Sequence, residues 1–275
     1  MGSMKRILFS LGLGTALMIV PAAGEESSFP AVSVQGDPAC PGEARPDRLL
    51  GISPEGDLIL SSEGLAKLSG IRLPLQAPHR NRAFAWLQER LGHPVLVQGS
   101  GSRDRWGRVA VQVRLAGDAA PLDFAQGLVE AGLALVDPGS GEAFCQSELL
   151  TFEENARKRS LGLWGDDRYK PLQAEHMDRL RDRVGSYVLI EGRIRSVGER
   201  KQRTYLNFGG HWAEDFTIII PHKTWKLMAE RGLGAEALEG RRIRARGILQ
   251  SWQGVALTVV LPEMIERLEG NRLAR

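Results

Sequence analysis

The chain has 275 residues, 43% of them hydrophobic and 25% charged, long enough for one large core or two modest ones; two small domains are expected. Its 36 lysines and arginines against 33 acidic residues leave a formal net charge of +3, which argues against coating nucleic acid through bulk charge alone but leaves room for a local basic face. Two cysteines are too few for a structural zinc site.

Lys5 and Arg6 precede an apolar run over residues 7–20, too short to span a bilayer comfortably, and Ala22-Ala23-Gly24 places small residues where a signal peptidase reads them. The stretch reads as a signal peptide cleaved after Gly24; the other reading is an uncleaved membrane anchor. Cleavage takes Lys5 and Arg6 away and brings the 36 basic residues to 34. The mature chain is then nearly neutral, periplasmic or secreted, and without stable membrane insertion. Residues 25–48, rich in Pro, Gly, Ser and acidic residues and without periodicity, predict an extended leader. In an oxidising compartment Cys40 and Cys145 are expected to pair. That disulfide ties the leader to a late helix and closes a loop worth roughly 4–5 kcal/mol in the chain-entropy model. Two unrelated thiols are the alternative.

The folded part is expected from Leu49 through residue 168. A strand from Gly56, the turn Ser61-Ser62-Glu63-Gly64 and a second strand read as a hairpin that Pro74 ends. Ala83, Phe84, Leu87 and Leu91 give residues 80–91 a helical period, stopped by Gly92. Residues 95–98 and 109–115 predict strands, residues 123–131 and 146–160 two further helices, and residues 169–184 a connector helix opening at Pro171. From residue 185 to 268 the pattern is three strands, a helix over residues 223–230, and two more strands, the connectivity of a five-stranded OB-fold barrel. The fold class is therefore α+β, a small barrel with three helices followed by a second all-β barrel.

Five pieces within residues 51–165 occur in the order known from one family. They are Gly56-Asp57, the run Lys67-Leu68-Ser69-Gly70-Ile71-Arg72-Leu73-Pro74, the turn Asp104-Arg105-Trp106-Gly107-Arg108, the segment 127–136, and Glu154-Asn155-Ala156-Arg157 leading to Gly162-Leu163-Trp164. Together they resemble the staphylococcal nucleases. The resemblance implies a barrel fold and cleavage of DNA or RNA with a calcium ion, a glutamate acting on the attacking water, and two arginines on the phosphate. It assigns Asp57 to the first calcium carboxylate, Lys67 to the first phosphate-binding arginine without its bidentate fork, and Arg108 to the second. It also exposes two losses: Arg72 stands where the second calcium carboxylate belongs, and Leu75 where the general base belongs. A cation repels a divalent ion, and leucine accepts no proton. No cofactor is expected, with calcium reserved for the case of an active nuclease.

Glu63 and Asp104 are the carboxylates that can rebuild a site, and otherwise solvated turn residues; His79 and His93 read as surface histidines, open only to an argument for a replacement base. Trp164 is expected to plug the barrel base and Trp106 to shape the turn carrying Arg108, with ligand stacking as the alternative. Arg103, Arg105 and Arg108 form either a phosphate-facing patch or an ordinary solvated turn.

In the C-terminal unit Arg193, Arg195, Lys201 and Arg203 interleave with Tyr205, Phe208, Trp212 and Phe216, while Arg242, Arg244 and Arg246 alternate and so share one sheet face, with Ile243 and Ala245 inward. This reads as a basic nucleic-acid-binding strip or as solvation of an ordinary barrel. Three functions compete: a degenerate nuclease homologue binding nucleic acid or another polyanion, an active metal-dependent phosphodiesterase, and an envelope module for a protein or glycan partner.

Overall fold

The computed structural model describes residues 42–117, 121–139, 143–210, 214–252 and 254–268, without the side chains of residues 100–102. The expected signal peptide, the leader up to residue 41 with Cys40, and Trp212 lie outside the described residues.

The first part of the chain runs β1 (Arg45–Ile52), β2 (Leu58–Leu60), β3 (Gly64–Leu68), β4 (Ile71–Arg72), α1 (His79–Gln88), β5 (Pro94–Arg103), β6 (Val109–Leu115), α2 (Phe124–Glu130), β7 (Leu135–Val136), α3 (Leu149–Lys158) and a 3-10 turn at Gly162–Gly165. Five strands close a barrel in the order β1-β2-β3-β6-β5. Alternate residues point inward, as a barrel requires: Leu58 and Leu60, Ala66 and Leu68, Val95 and Val97, and Val109, Val111 and Val113 are all buried. β3 and β6 are parallel, with Lys67 opposite Ala110. β1 begins at Arg45, inside the stretch read as leader, because Arg45 to Arg48 pair with β5 and complete the closure.

Asp123 caps α2 by accepting a hydrogen bond from the Gln126 amide, 3.0 Å. α2 leads into Gly132, which meets Gly162 at the foot of α3. Both have positive φ, and a Cβ on Gly162 falls 2.2 Å from the Gly132 carbonyl oxygen, so neither position accepts a side chain.

The second part runs β8 (Leu172–Gln173), α4 (Met177–Arg181), β9 (Tyr187–Arg193), β10 (Ser196–Glu199), β11 (Arg203–Asn207), β12 (Phe216–Pro221), α5 (His222–Glu230), α6 (Ala235–Leu238), β13 (Arg242–Ser251), β14 (Val255–Thr258) and β15 (Ile265–Arg267). The expected connector helix is therefore divided: Leu172 and Gln173 join the sheet beside β9, and α4 occupies five residues. Sheet order is β10-β11-β12-β14-β13-β9-β8, with β15 on β13 and β12 parallel to β14. At the junction of β9 and β10 the Ile194 amide bonds to Arg241 and the Arg195 amide to Asn207, so the chain passes from the β13 side to the β11 side in one residue.

The described residues belong to one compact unit, and one core cluster runs from Leu49 to Ile265. Where the two sheets meet, Trp164, Leu163, Leu135 and Ala156 bury themselves against Leu189 of β9. A charged network lies beside this apolar contact. Glu153 of α3 and Arg246 of β13 are both fully buried and paired at 2.8 Å. Arg246 also contacts Glu266, and Arg244 joins Glu191 (2.7 Å), Glu154 (2.9 Å) and Glu266 (3.5 Å). Burial works against the charge of Arg246, yet Glu153 and Glu266 raise its pKa above the usual value. Arg157, desolvated and facing Arg244, is pulled down to about 10.

This corrects the expectation of a basic strip on β13. Arg244 and Arg246 do share a face, but α3 covers it, so Arg244 is withdrawn from nucleic-acid binding and spent on carboxylates. Arg242 stays exposed, bonded to Gln173 and Glu191.

Removing one side of a buried pair strands the other, at a cost of roughly 3–5 kcal/mol, whereas replacing both by apolar residues is far milder. Glu153→Leu is expected to lose about that much in urea unfolding, and Glu153→Leu with Arg246→Met to recover most of it. Recovery falls short of complete because the Val136 amide also donates to Glu153, at 2.7 Å.

Candidate functional site

Asp57 sits at the turn before β2, buried, its amide bonded to the Ser53 hydroxyl at 3.2 Å. Leu58 pairs with Ala66, the neighbour of Lys67, and Ala66 pairs with Val109, the neighbour of Arg108. The sheet thus brings Asp57, Lys67 and Arg108 to one end of the barrel. Lys67 is exposed there.

Arg108 is held from two sides. Its Nε and Nη2 reach Asp104 Oδ2 at 2.9 and 2.8 Å, and its Nη1 reaches Asp57 Oδ1 at 3.4 Å. The Asp104 bond raises the pKa of Arg108, and the same bond holds the Asp104 carboxyl below its usual range. Asp104 also accepts the amides of Trp106 and Arg108, at 2.9 and 3.0 Å, which closes the turn. Its oxygens are therefore engaged in the turn rather than turned to a ligand. Trp106, 59% exposed, has two guanidiniums against its ring, Arg105 at 3.9 Å and Arg108 at 4.7 Å from the ring centre. Glu63 faces Arg103 at 3.5 Å.

Arg72 points elsewhere. Its Nε and Nη2 donate to Asp137 at 3.0 and 2.8 Å, and its guanidinium lies 4.8 Å from the Tyr187 ring of the C-terminal sheet. Tyr187 in turn donates to the Val136 carbonyl at 2.7 Å, and burial beside Asp137 pushes its pKa well up. Leu75 is 79% exposed.

Calcium, implied for an active member of the family that the sequence resembles, takes six to eight oxygen ligands. Asp57 offers two, one of them against Arg108, while Arg72 brings positive charge where a second carboxylate is wanted. Among the described residues no three His, Cys, Asp or Glu side chains lie together in a metal-holding group. The residues present do not fit calcium.

His79 departs from its expected surface position. It is buried at the start of α1, with Nε2 3.3 Å from Asp166 and its ring edge-on to Tyr169 at 5.4 Å. His93 is exposed. Trp164 is buried as expected. In the C-terminal sheet Arg193, Arg195 and Arg203 are exposed and Tyr205 is half-buried; Arg193 donates to the Gly240 carbonyl at 2.6 Å. Sequence reasoning passed over Trp252, 49% exposed and 5.8 Å from the Arg203 guanidinium. A tryptophan in the sequence Ser-Trp-Gln-Gly, where no apolar periodicity claims it for the core, is the signal that marks it. Cys145 is half-buried and not a free thiol.

Compared with known protein families, residues 62–166 match the staphylococcal nuclease homologue family. This covers β3 to the end of the 3-10 turn and makes that stretch a staphylococcal-nuclease-like domain. No curated protein matches the chain.

The stability contributed by Asp104 follows its lowered pKa: present above the unfolded-state value near ~3.9, it is lost as pH falls through the lower folded-state value. In an NMR pH titration the Asp104 carboxyl is expected to titrate below the ordinary aspartate midpoint and to move up towards it in Arg108→Ala.

Proposed function

We propose, with residues 62–166 taken as a staphylococcal-nuclease-like domain, that the chain is an exported nuclease homologue that binds nucleic acid or another polyanion without cutting it efficiently. The observation that carries this reading is the fate of Arg72. At the position where the family resemblance calls for a calcium carboxylate, a guanidinium is locked to Asp137 and Tyr187. In-line hydrolysis of a phosphodiester needs an activated nucleophile and compensation of the developing charge. Leu75 cannot activate water, and Arg108 has two carboxylates to satisfy before it meets a phosphate.

Binding asks for less. Lys67 and Arg105 are exposed near the Arg108 turn, and Arg105 lies on Trp106, so cationic and aromatic surfaces are presented together. The strand order of the C-terminal sheet, with its parallel β12 and β14 matching the parallel β3 and β6 of the first barrel, supports reading it as an OB barrel. Export through residues 1–24 to the periplasm or beyond accords with a Cys40 to Cys145 disulfide, and the bound state of Cys145 supports that pairing.

Incubation with single- and double-stranded DNA and with RNA, in calcium and then in chelator, tests the proposal. Retardation that weakens steeply with salt and no calcium-dependent cleavage are expected. Lys67→Ala with Arg105→Ala is expected to weaken retardation and flatten its salt dependence. Calcium-dependent cutting abolished by Arg108→Ala sinks the degenerate-site reading, and binding that ignores salt points to a protein or glycan partner instead.

A further inference from the structure

We propose that a cleft at the junction of the two halves binds a single phosphate-sized anion, held by the guanidiniums of Arg168 and Arg183 and the hydroxyl of Tyr169. It goes beyond the polyanion reading above and uses none of the cations named there.

The segment 166–170 follows the 3-10 turn and leads into β8. Its Arg168, Tyr169 and Lys170 line a small cleft together with Leu135 of β7 and with Tyr187 and Leu189 of β9. Leu135 and Leu189 are buried, and the Tyr187 hydroxyl is spent on the Val136 carbonyl, so the side-chain donors come from the junction segment.

The arginines described above are answered by carboxylates: Arg72 by Asp137, Arg108 by Asp57 and Asp104, and Arg244 and Arg246 by glutamates. Arg168 and Arg183 are not. Among the described residues neither guanidinium has a carboxylate within ion-pair distance; Arg168 donates to the Gln76 side-chain carbonyl, and Arg183 to the Arg168 backbone carbonyl at 2.9 Å. The neighbouring carboxylates are engaged. Asp166 accepts the Arg168 amide at 2.9 Å and faces His79 at 3.3 Å, while Asp167 pairs with Lys170 at 2.6 Å. That last pair is exposed, and such pairs contribute little, so Lys170 can turn to another anion.

Tyr169 supplies the third donor. Its half-buried ring packs edge-on against His79, and its hydroxyl has no hydrogen-bond partner among the described residues. Burial pushes its pKa up, and the charges of Arg168 and Arg183, which reach the phenol, oppose that shift without cancelling it. The phenol therefore stays a neutral donor at neutral pH. Two unanswered guanidiniums and an unbonded hydroxyl beside apolar side chains suit several acceptor oxygens on one centre, and guanidinium forks match those of a phosphate. A cleft this small takes the phosphate group itself and not a large organic body. That group comes either as free phosphate or as the terminal phosphate of a nucleic-acid strand.

The test is calorimetric titration of the full chain with inorganic phosphate, at ionic strength held constant with chloride. Saturable binding is expected, weakened about tenfold by Arg168→Ala and by Arg183→Ala and about fivefold by Tyr169→Phe, which keeps the ring against His79. Arg179→Ala, an exposed arginine of α4, is expected to change nothing. No saturable binding overturns the inference, as does binding that survives Arg168→Ala and Arg183→Ala or falls equally in Arg179→Ala. Oligothymidine with and without a 5′-phosphate separates the sources. Tighter binding of the phosphorylated strand that Arg168→Ala removes identifies a strand end, and phosphate binding without that preference identifies free phosphate. If phosphate binding falls in Lys67→Ala with Arg105→Ala but not in Arg168→Ala, the anion sits on the first barrel and this site fails while the polyanion reading stands. Phosphate binding sensitive to Arg168→Ala in a chain that retards no nucleic acid supports this site and sinks that reading.

Discussion

A fully buried ion pair, Glu153 with Arg246, joins the two halves of this molecule. Burying two charges costs several kcal/mol each in lost hydration, and their attraction repays this when geometry and further hydrogen bonds are good. Here, besides the Glu266 contact of Arg246, those partners converge on one residue. The Val136 amide donates to Glu153, and the Val136 carbonyl accepts from both Arg246 and the Tyr187 hydroxyl. The short strand β7 is thereby bound to α3 within the nuclease-like domain and to β9 and β13 of the C-terminal sheet. A salt bridge of this kind adds little net stability over apolar packing, but it tolerates few alternative alignments, since any slip leaves a bare charge in a dry interior.

The consequence reaches Arg72. β7 pairs with β4, which carries Arg72, and Asp137 follows β7 directly. Once β7 is fixed, Asp137 and Tyr187 stand where they capture the Arg72 guanidinium. A side chain committed to an anion on one side and a tyrosine face on the other is not a metal ligand, and its charge opposes a divalent ion nearby. The docking of the two halves and the capture of Arg72 thus both depend on β7. The Arg108 turn shows the same internal neutralisation, with Asp104 and Asp57 answering its charge before any ligand arrives.

What remains outside these networks is a set of exposed cations and rings. Lys67, Arg105 and Trp106 lie on the first barrel, and Arg203 and Trp252 on the second sheet, where Tyr205 is half-buried. On the proposed reading, the surface of the first barrel would recognise a polyanion through charge and stacking, which place lighter demands on geometry than an in-line transition state does.

Much of the architecture was legible along the chain. Alternating leucines and valines marked the barrel strands, Asp123 and Gly132 bounded α2, and five ordered motifs pointed to the domain that the family comparison finds at residues 62–166. That Arg72 and Leu75 depart from the family's pattern could likewise be read along the chain. Alternation on β13 correctly put Arg244 and Arg246 on one face but could not reveal what covers it. A period of two reports which residues share a side of a sheet, and it is silent on whether water or another helix lies there. Glu153, on the apolar stripe of α3 with Leu149 and Ala156, was the one local hint of that cover. His79 was misread because its partner, Asp166, lies 87 positions away. Residue types and spacings determined the elements and the chemistry available to each. Which charges face solvent and which neutralise one another was decided by contacts distant in sequence, because burial and pairing are properties of the packed structure.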